Sequence, residues 1–200
     1  MPVLGITGGI ATGKTLFTDC LSGLFPPLQV FNADASARRL TESDPAILNA
    51  IRKQFGPAVF DETGALQRPA LRSIVFADPE RRKALESILH PAIRREWLGL
   101  AKTVREQNGS QWLAVDIPLL FETAAEPHFD KVVVVACSAK TQLRRLVESR
   151  HLKPGLADSM IASQLPLAEK IQRADIVVWN DGAREALELQ ARLLSLTLFS

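Results

Sequence analysis

The sequence predicts an α/β protein built on a parallel sheet, and three observations carry that prediction. Five short apolar runs recur along the chain, each continuous rather than alternating, as expected of strands covered on both faces. Helical patterns separate the runs, so successive strands can lie parallel. The first run, Val3-Leu4-Gly5-Ile6-Thr7, passes directly into Gly8-Gly9-Ile10-Ala11-Thr12-Gly13-Lys14-Thr15, which spells G-x-x-x-x-G-K-[ST].

The opening strand, Val3 to Thr7, delivers this loop to a sheet edge, and Thr15 to Phe25 continue as a helix. Loop amides and the helix N-terminus then converge on one anion. Glycine at 8, 9 and 13 lets backbone approach phosphate oxygens with no Cβ in the way. Lys14 adds a point charge toward the β/γ-phosphates, and the Thr15 hydroxyl is placed to ligate Mg²⁺. Gly8, Gly9, Ala11, Thr12, Gly13, Lys14, Thr15 and Leu16 are therefore the candidate nucleotide-binding residues of this segment. A glycine-rich turn with a chance lysine would lack the strand before and the helix after.

Gln29-Val30-Phe31 is the second strand and ends at Asn32-Ala33-Asp34. From Ser36 to Arg105 the pattern is helical throughout. Asp44-Pro45 opens a helix bearing Ile47, Leu48, Ile51 and Phe55, which Gly56 closes. Asp78-Pro79 opens another through Leu85, Ile88 and Leu89, and His90-Pro91 marks a break before Ile93, Trp97, Leu98 and Ala101. This stretch reads as a helical lobe inserted into the sheet. Trp112 to Val115, Val132 to Val135 and Ile176 to Trp179 supply the remaining strands. Between the last two, Arg144, Arg145 and Arg150 stand beside Pro154-Gly155 and Pro166, the composition of a mobile lid. The expected division is a core of 1–35 with 108–143 and 171–200, a lobe of 36–107 and a lid of 144–170.

Composition excludes several classes. Two hundred residues suit one domain with insertions, and 46% hydrophobic with 23% charged residues rule out disordered and fibrous chains. A net charge of +2 is too small to argue for a nucleic-acid partner. Ser36 to Arg105 carries 13 Lys+Arg against 8 Asp+Glu, so an anionic small molecule would be sought there, although a solvated helical surface accounts for the excess equally well. No run approaches a membrane span and no signal-like segment opens the sequence, so a cytoplasmic protein, monomeric or weakly homo-oligomeric, is expected. Cys20 and Cys137 have no metal-binding spacing and read as buried thiols; His90, His128 and His151 suggest no zinc site.

A phosphate loop, a helical lobe and an arginine-bearing flap describe a small-molecule kinase, and finer motifs point to one family. Thr7-Gly8-Gly9-Ile10, Asp34-Ala35-Ser36-Ala37-Arg38, Gly64-Ala65-Leu66-Gln67-Arg68 with Val75-Phe76, and Leu89-His90-Pro91-Ala92-Ile93 occur in order. Asp116-Ile117-Pro118-Leu119-Leu120-Phe121-Glu122, Ser163-Gln164-Leu165-Pro166, Glu169-Lys170, Ala174-Asp175 and Asn180-Asp181-Gly182 follow. In order and spacing the chain resembles the dephospho-coenzyme A kinases nearly end to end. That resemblance implies a three-layer P-loop kinase fold with a five-stranded parallel sheet, inserted substrate lobe and lid. It also implies ATP with Mg²⁺, and phosphorylation of the ribose 3′-hydroxyl of dephospho-CoA. Alternatives are another P-loop kinase acting on a nucleoside monophosphate or small metabolite, and a nucleotide- or coenzyme-binding protein without turnover. A GTPase-like switch would need Asn-Lys-x-Asp, and Asn180-Asp181-Gly182 lacks the lysine.

Phosphoryl transfer needs in-line attack, charge neutralisation and an acceptor for the hydroxyl proton. Asp34, past the second strand, is the candidate base or else a helix N-cap. Arg38, one turn on, meets a substrate phosphate or solvent. Arg68 belongs with the substrate residues by the same likeness. Asp116 ends the third strand and supports Mg²⁺ through water or makes a structural loop contact. His90 touches the acceptor or fixes the helix break. Gln164 serves the lid and Asn180 the adenine edge, or both are polar loop residues without a role. Asn32 stands where the family has aspartate, and Met160 where it often has a basic residue. The lid pattern Gln-x-x-Arg fits Gln142 and Arg145, but the family's second arginine falls on Ser149, with Arg150 one place late. Lys14, Arg145 and Arg150 complete the candidate catalytic set, Arg150 reaching the γ-phosphate if the helix end shifts.

Overall fold

The computed structural model describes residues 3–25, 27–106 and 111–198. They fall into two compact units, Met1–Phe31 with Ala101–Ser200, and Asn32–Leu100. The strands are β1 (Val3–Gly8), β2 (Leu28–Asn32), β3 (Trp112–Asp116), β4 (Lys131–Ala136) and β5 (Ile176–Trp179). The helices are α1 (Lys14–Leu24), α2 (Ala33–Ser43), α3 (Pro45–Phe55), α4 (Arg68–Ala77), α5 (Pro79–Glu106), α6 (Ala139–Arg144), α7 (Pro154–Ala162), α8 (Leu167–Arg173) and α9 (Arg184–Leu198).

In the first unit the strands form one five-stranded parallel sheet in the order β2-β3-β1-β4-β5. Ile6 of β1 lies opposite Asp116 of β3 on one side and Val133 of β4 on the other. The three middle strands match the expected pattern of burial on both faces. The outer two do not: Val30, Val177 and Trp179 are exposed, because an edge strand has a neighbour on one side only. Gln190 of α9 occupies part of the β5 edge, accepting from the Trp179 N–H at 2.9 Å and donating to its carbonyl at 2.8 Å. One sheet face packs Ile6, Val133, Val135 and Val178 against Phe17 and Leu21 of α1 and Leu187, Ala191 and Leu194 of α9. On the other face, Leu120 and Phe129 press against Gly5 so closely that a Cβ there would stand 2.7 Å from Leu120 Cδ1.

The second unit is built from α2, α3, α4 and most of α5. The Asn32 side chain caps α2, accepting from the Ala35 N–H at 2.8 Å. Asp44 caps α3, accepting from the Ala46 and Ile47 N–H groups, and Pro45 opens the helix as its fixed φ allows. Gly56 ends α3 at φ 83°, a left-handed conformation that favours glycine. Glu96 of α5 ties α2 down, accepting from Ser36 Oγ at 2.5 Å and Arg39 at 2.6 Å.

Three sequence expectations need correction. The lobe is not helical throughout: between α3 and α4 a 3-10 turn at Pro57–Val59 leads into an antiparallel bridge between Phe60 and Leu66. The His90-Pro91 break does not occur: α5 runs unbroken over 28 residues with Pro91 inside it. Proline removes one N–H, the partner of the Ser87 carbonyl, while the surrounding turns keep their bonds and bury Ile93 and Trp97. Cys20 is half-buried rather than buried, whereas Cys137 lies within the core.

An interior helix proline is destabilising, so Pro91→Ala restores a backbone donor and is expected to raise stability by on the order of 1 kcal/mol. The urea midpoint of the variant measures this; a lowered midpoint would show that Pro91 stabilises the helix where it stands.

Candidate active site

The site in the first unit is organised around the peptide groups of the loop between β1 and α1. Gly13 caps α1 at φ 93° without any side-chain hydrogen bond to the helix, whereas α2, α3 and α6 are capped by Asn32, Asp44 and Ser138. The first-turn amides of α1, which have no intrahelical acceptor, are therefore presented to the loop. Gly13 is required on two counts: its φ is left-handed, and a Cβ would stand 2.1 Å from Asn180 Nδ2. At Gly8 a Cβ would meet the Val135 carbonyl oxygen at 2.4 Å.

The carbonyls of residues 8 to 12 are each met by a donor from the protein. Lys170 Nζ lies 3.5 Å from the Gly8 oxygen. Thr12 Oγ1 donates to Gly9 at 2.9 Å, and Gln142 Nε2 to Ile10 at 2.7 Å. Arg145 donates to Ala11 at 3.3 Å and to Thr12 at 3.1 Å, and Asn180 Nδ2 donates to Thr12 at 2.8 Å. In a planar trans peptide the carbonyl and the next N–H point in opposite directions. Pinning the carbonyls of Gly8, Ile10 and Thr12 thus aims the N–H groups of Gly9, Ala11 and Gly13 the other way. Two loop N–H groups bond within the protein instead: that of Ile10 donates to Gln164 Oε1 at 2.8 Å and that of Thr12 to the Gly9 carbonyl at 3.3 Å.

Lys14 at the start of α1 forms an ion pair with Asp116 at the end of β3, and both are largely buried. Thr15 is exposed in the first turn of α1, and Leu16 is half-buried. Asp116 also follows directly from the register, since its partner Ile6 sits two residues before the loop. Across β4 and β5, Asp181 accepts from the Ser138 N–H at 2.9 Å and from the Trp179 indole at 2.9 Å. The Thr141 hydroxyl, with the Ser138 N–H, holds its carboxyl below the usual range.

The sequence-predicted residues Gly8 to Leu16, Asp116, Arg145, Gln164 and Asn180 thus gather in one unit. Arg145 and Asn180 are further joined, Arg145 donating to the Asn180 carbonyl at 2.9 Å. Arg150 is exposed at the end of a π-helical turn, Arg145–Ser149, that continues α6. A π turn closes i→i+5 rather than i→i+4, so it inserts one residue and advances the helix register by one. Arg150 follows that turn directly as its C-cap.

The second unit holds the others. Asp34 is exposed in the first turn of α2 and is not its cap, since Asn32 performs that task. Arg38 is exposed one turn on. Arg68 is engaged within the lobe, donating to the Arg38 carbonyl and to Thr41 Oγ1 at 2.9 Å and lying 3.2 Å from Glu42. His90 is half-buried in α5, and burial pushes its imidazole below the ordinary histidine range.

Lys170 and Glu122 were visible in the sequence only as parts of motifs. No local pattern marks either as a partner of the loop. Lys170 is wholly buried and bonds Glu122, Pro118 and Gly8; Glu122 also accepts from the Leu165 N–H at 2.9 Å.

A family model described as dephospho-CoA kinase matches residues 2–185. The dephospho-CoA kinase of Bacillus cereus is 42% identical over 180 residues, 90% of this chain and 88% of the relative. The crystal structure of TT1252 from Thermus thermophilus superimposes with a TM-score of 0.76 at 31% identity, covering 98% of each chain. The dephospho-CoA kinase from Campylobacter jejuni shares the fold, with a TM-score of 0.68 at 24% identity, covering 99% of this chain and 96% of that one. With its phosphate loop, the Asp116 partner of Lys14 and a family match spanning most of its length, this chain belongs to the dephospho-CoA kinase family.

Proposed function

We propose that the protein transfers the γ-phosphoryl group of ATP to the ribose 3′-hydroxyl of dephospho-CoA, giving coenzyme A and ADP. The observation that carries the phosphate half of this reading is the loop in which each carbonyl from Gly8 to Thr12 has a protein donor behind it. Such a loop aims its amides at an anion, and the uncapped N-terminus of α1 adds its dipole. Family membership supports the acceptor.

In this mechanism the loop amides and Lys14 hold the β- and γ-phosphates and neutralise charge on the transferring group. Asp34 accepts the proton of the attacking hydroxyl. An exposed carboxylate outside the capping role can do so. Arg38 and His90 bind the acceptor, and Arg68 holds the α2 backbone at Arg38. Arg145 and Asn180 fix the last loop carbonyls beside the adenine edge. Gln164 fixes Ile10 from the lid, and Arg150 reaches the γ-phosphate from its advanced position.

Mg²⁺ fits the donor set: the Thr15 hydroxyl and the Asp116 carboxylate are oxygen ligands, the latter acting through water. Among the described residues no cluster of three or more His, Cys, Asp or Glu could hold a metal. That suits an ion that keeps waters and phosphates rather than a full protein cage. When bound it would offset charge on the phosphate oxygens. We place the reaction in the cytoplasm, on small molecules rather than nucleic acid, with the chain monomeric or weakly associated. Among the described residues no helix is long and apolar enough to cross a membrane.

ADP formation with dephospho-CoA, compared with nucleoside monophosphates as acceptors, tests the activity; turnover restricted to the monophosphates would replace the acceptor, and ATP binding without turnover on any acceptor would indicate a non-catalytic binder. Lys14→Ala is expected to weaken ATP binding and lower kcat together, by at least ~10²-fold in kcat/KM, as titration and steady-state assays would show. Asp34→Asn is expected to retain ATP affinity while kcat falls ~10²–10⁴-fold, the usual worth of a general base; a near-normal kcat would remove Asp34 from that role.

A further inference from the structure

Lys170 is the charged group that the reaction leaves without a task. Its side chain is 0% exposed, against 12% for Lys14. Burying an ammonium is costly unless its donors and its charge are both satisfied. Here the Nζ lies 2.8 Å from Glu122 Oε1, 3.2 Å from the Pro118 carbonyl and 3.5 Å from the Gly8 carbonyl. An apolar side chain of similar length would fill the same volume without that desolvation, so stability alone is a weak reason for a lysine.

The partners say what the charge accomplishes. Gly8 begins the phosphate loop, and fixing its carbonyl fixes the direction of the Gly9 N–H. Pro118 lies two residues beyond Asp116, the partner of Lys14, and its carbonyl is also met by Thr7 Oγ1 at 3.2 Å. Glu122 accepts from the Leu165 N–H at 2.9 Å, and the adjoining Gln164 accepts from the Ile10 N–H at 2.8 Å. The bonds close a ring through Gly8, Ile10, Gln164, Leu165, Glu122 and Lys170, which joins the loop, the segment after β3 and the return of the lid.

We propose that Lys170 is a positioning residue which, with Glu122, orients the first turn of the phosphate loop for the nucleotide. The assignment rests on the reading of Gly8 to Thr15 as the triphosphate cradle. It acts through the Gly8–Gly9 peptide and touches no reacting atom. Its effect therefore falls on ATP and on kcat, and not on the acceptor.

The test compares the full chain with the Lys170→Met/Glu122→Gln double variant, which removes both charges and leaves no buried ion unpaired. ATP affinity is read by calorimetric titration, independently of any acceptor, and steady-state constants and the thermal midpoint are measured beside it. The expected result is a thermal midpoint near that of the parent, ATP affinity weakened at least ~10-fold with kcat reduced, and the KM for dephospho-CoA unchanged, since small misplacements of binding groups are amplified in rate. Parental ATP affinity and kcat per folded molecule would overturn the proposal. If the double variant does not fold, the near-isosteric Glu122→Gln serves: a selective several-fold loss of ATP affinity supports the assignment, and parental ATP constants overturn it. A parent that turns over dephospho-CoA beside unaffected variants removes only the role of Lys170; a parent that binds no ATP removes the cradle itself.

Discussion

Peptide planarity is the constraint on which the site depends. A loop can offer consecutive N–H groups to an anion only if the intervening carbonyls are turned away, and those carbonyls then need donors of their own in a water-poor interior. This chain supplies them from Thr12, Gln142, Arg145, Lys170 and Asn180. Four of the five lie more than 120 residues from the loop in sequence and reach it because of strand order. β4 lies directly beside β1, and β5 beside β4, so the segments that follow them emerge next to the loop that follows β1. β3 flanks β1 on the other side and delivers Asp116 to Lys14. The sheet order and the phosphate site are one arrangement seen at two scales.

What the sequence made legible was what is local. The G-x-x-x-x-G-K-[ST] spelling, the three central strands and the caps at Asp44 and Gly56 each depend on residues within a few positions of one another. Lys170 was legible as a letter in a motif but not as the donor to Gly8, because a contact across 162 positions leaves no periodicity behind. The edge strands β2 and β5 look like the central ones in composition and differ in exposure, since position in a sheet is not written in a strand's own residues. Pro91 misled for a different reason. Proline is a local signal of helix interruption, and here the packing of Ile93 and Trp97 outweighs the single lost bond.

The departures from the family pattern have physical counterparts. Asparagine at 32 accepts the Ala35 N–H as an aspartate would, so the α2 cap does not require charge at that position. That leaves Asp34, two residues on, outside the capping bond and exposed. Arg150 directly follows a π turn and stands at its C-cap, where the helix ends.

The segment between β4 and β5 is bound to the loop at both of its roots. At its start Gln142 and Arg145 hold the Ile10, Ala11 and Thr12 carbonyls; at its return Gln164 holds the Ile10 N–H, and Lys170 the Gly8 carbonyl. Ile10 is therefore gripped from both ends of the segment, by its carbonyl on one side and its amide on the other. A displacement of either root pulls on the peptide planes that flank Ile10. The Lys170 ammonium is wholly buried and pairs with Glu122, so withdrawing this end of the segment would strip a buried charge of its partner.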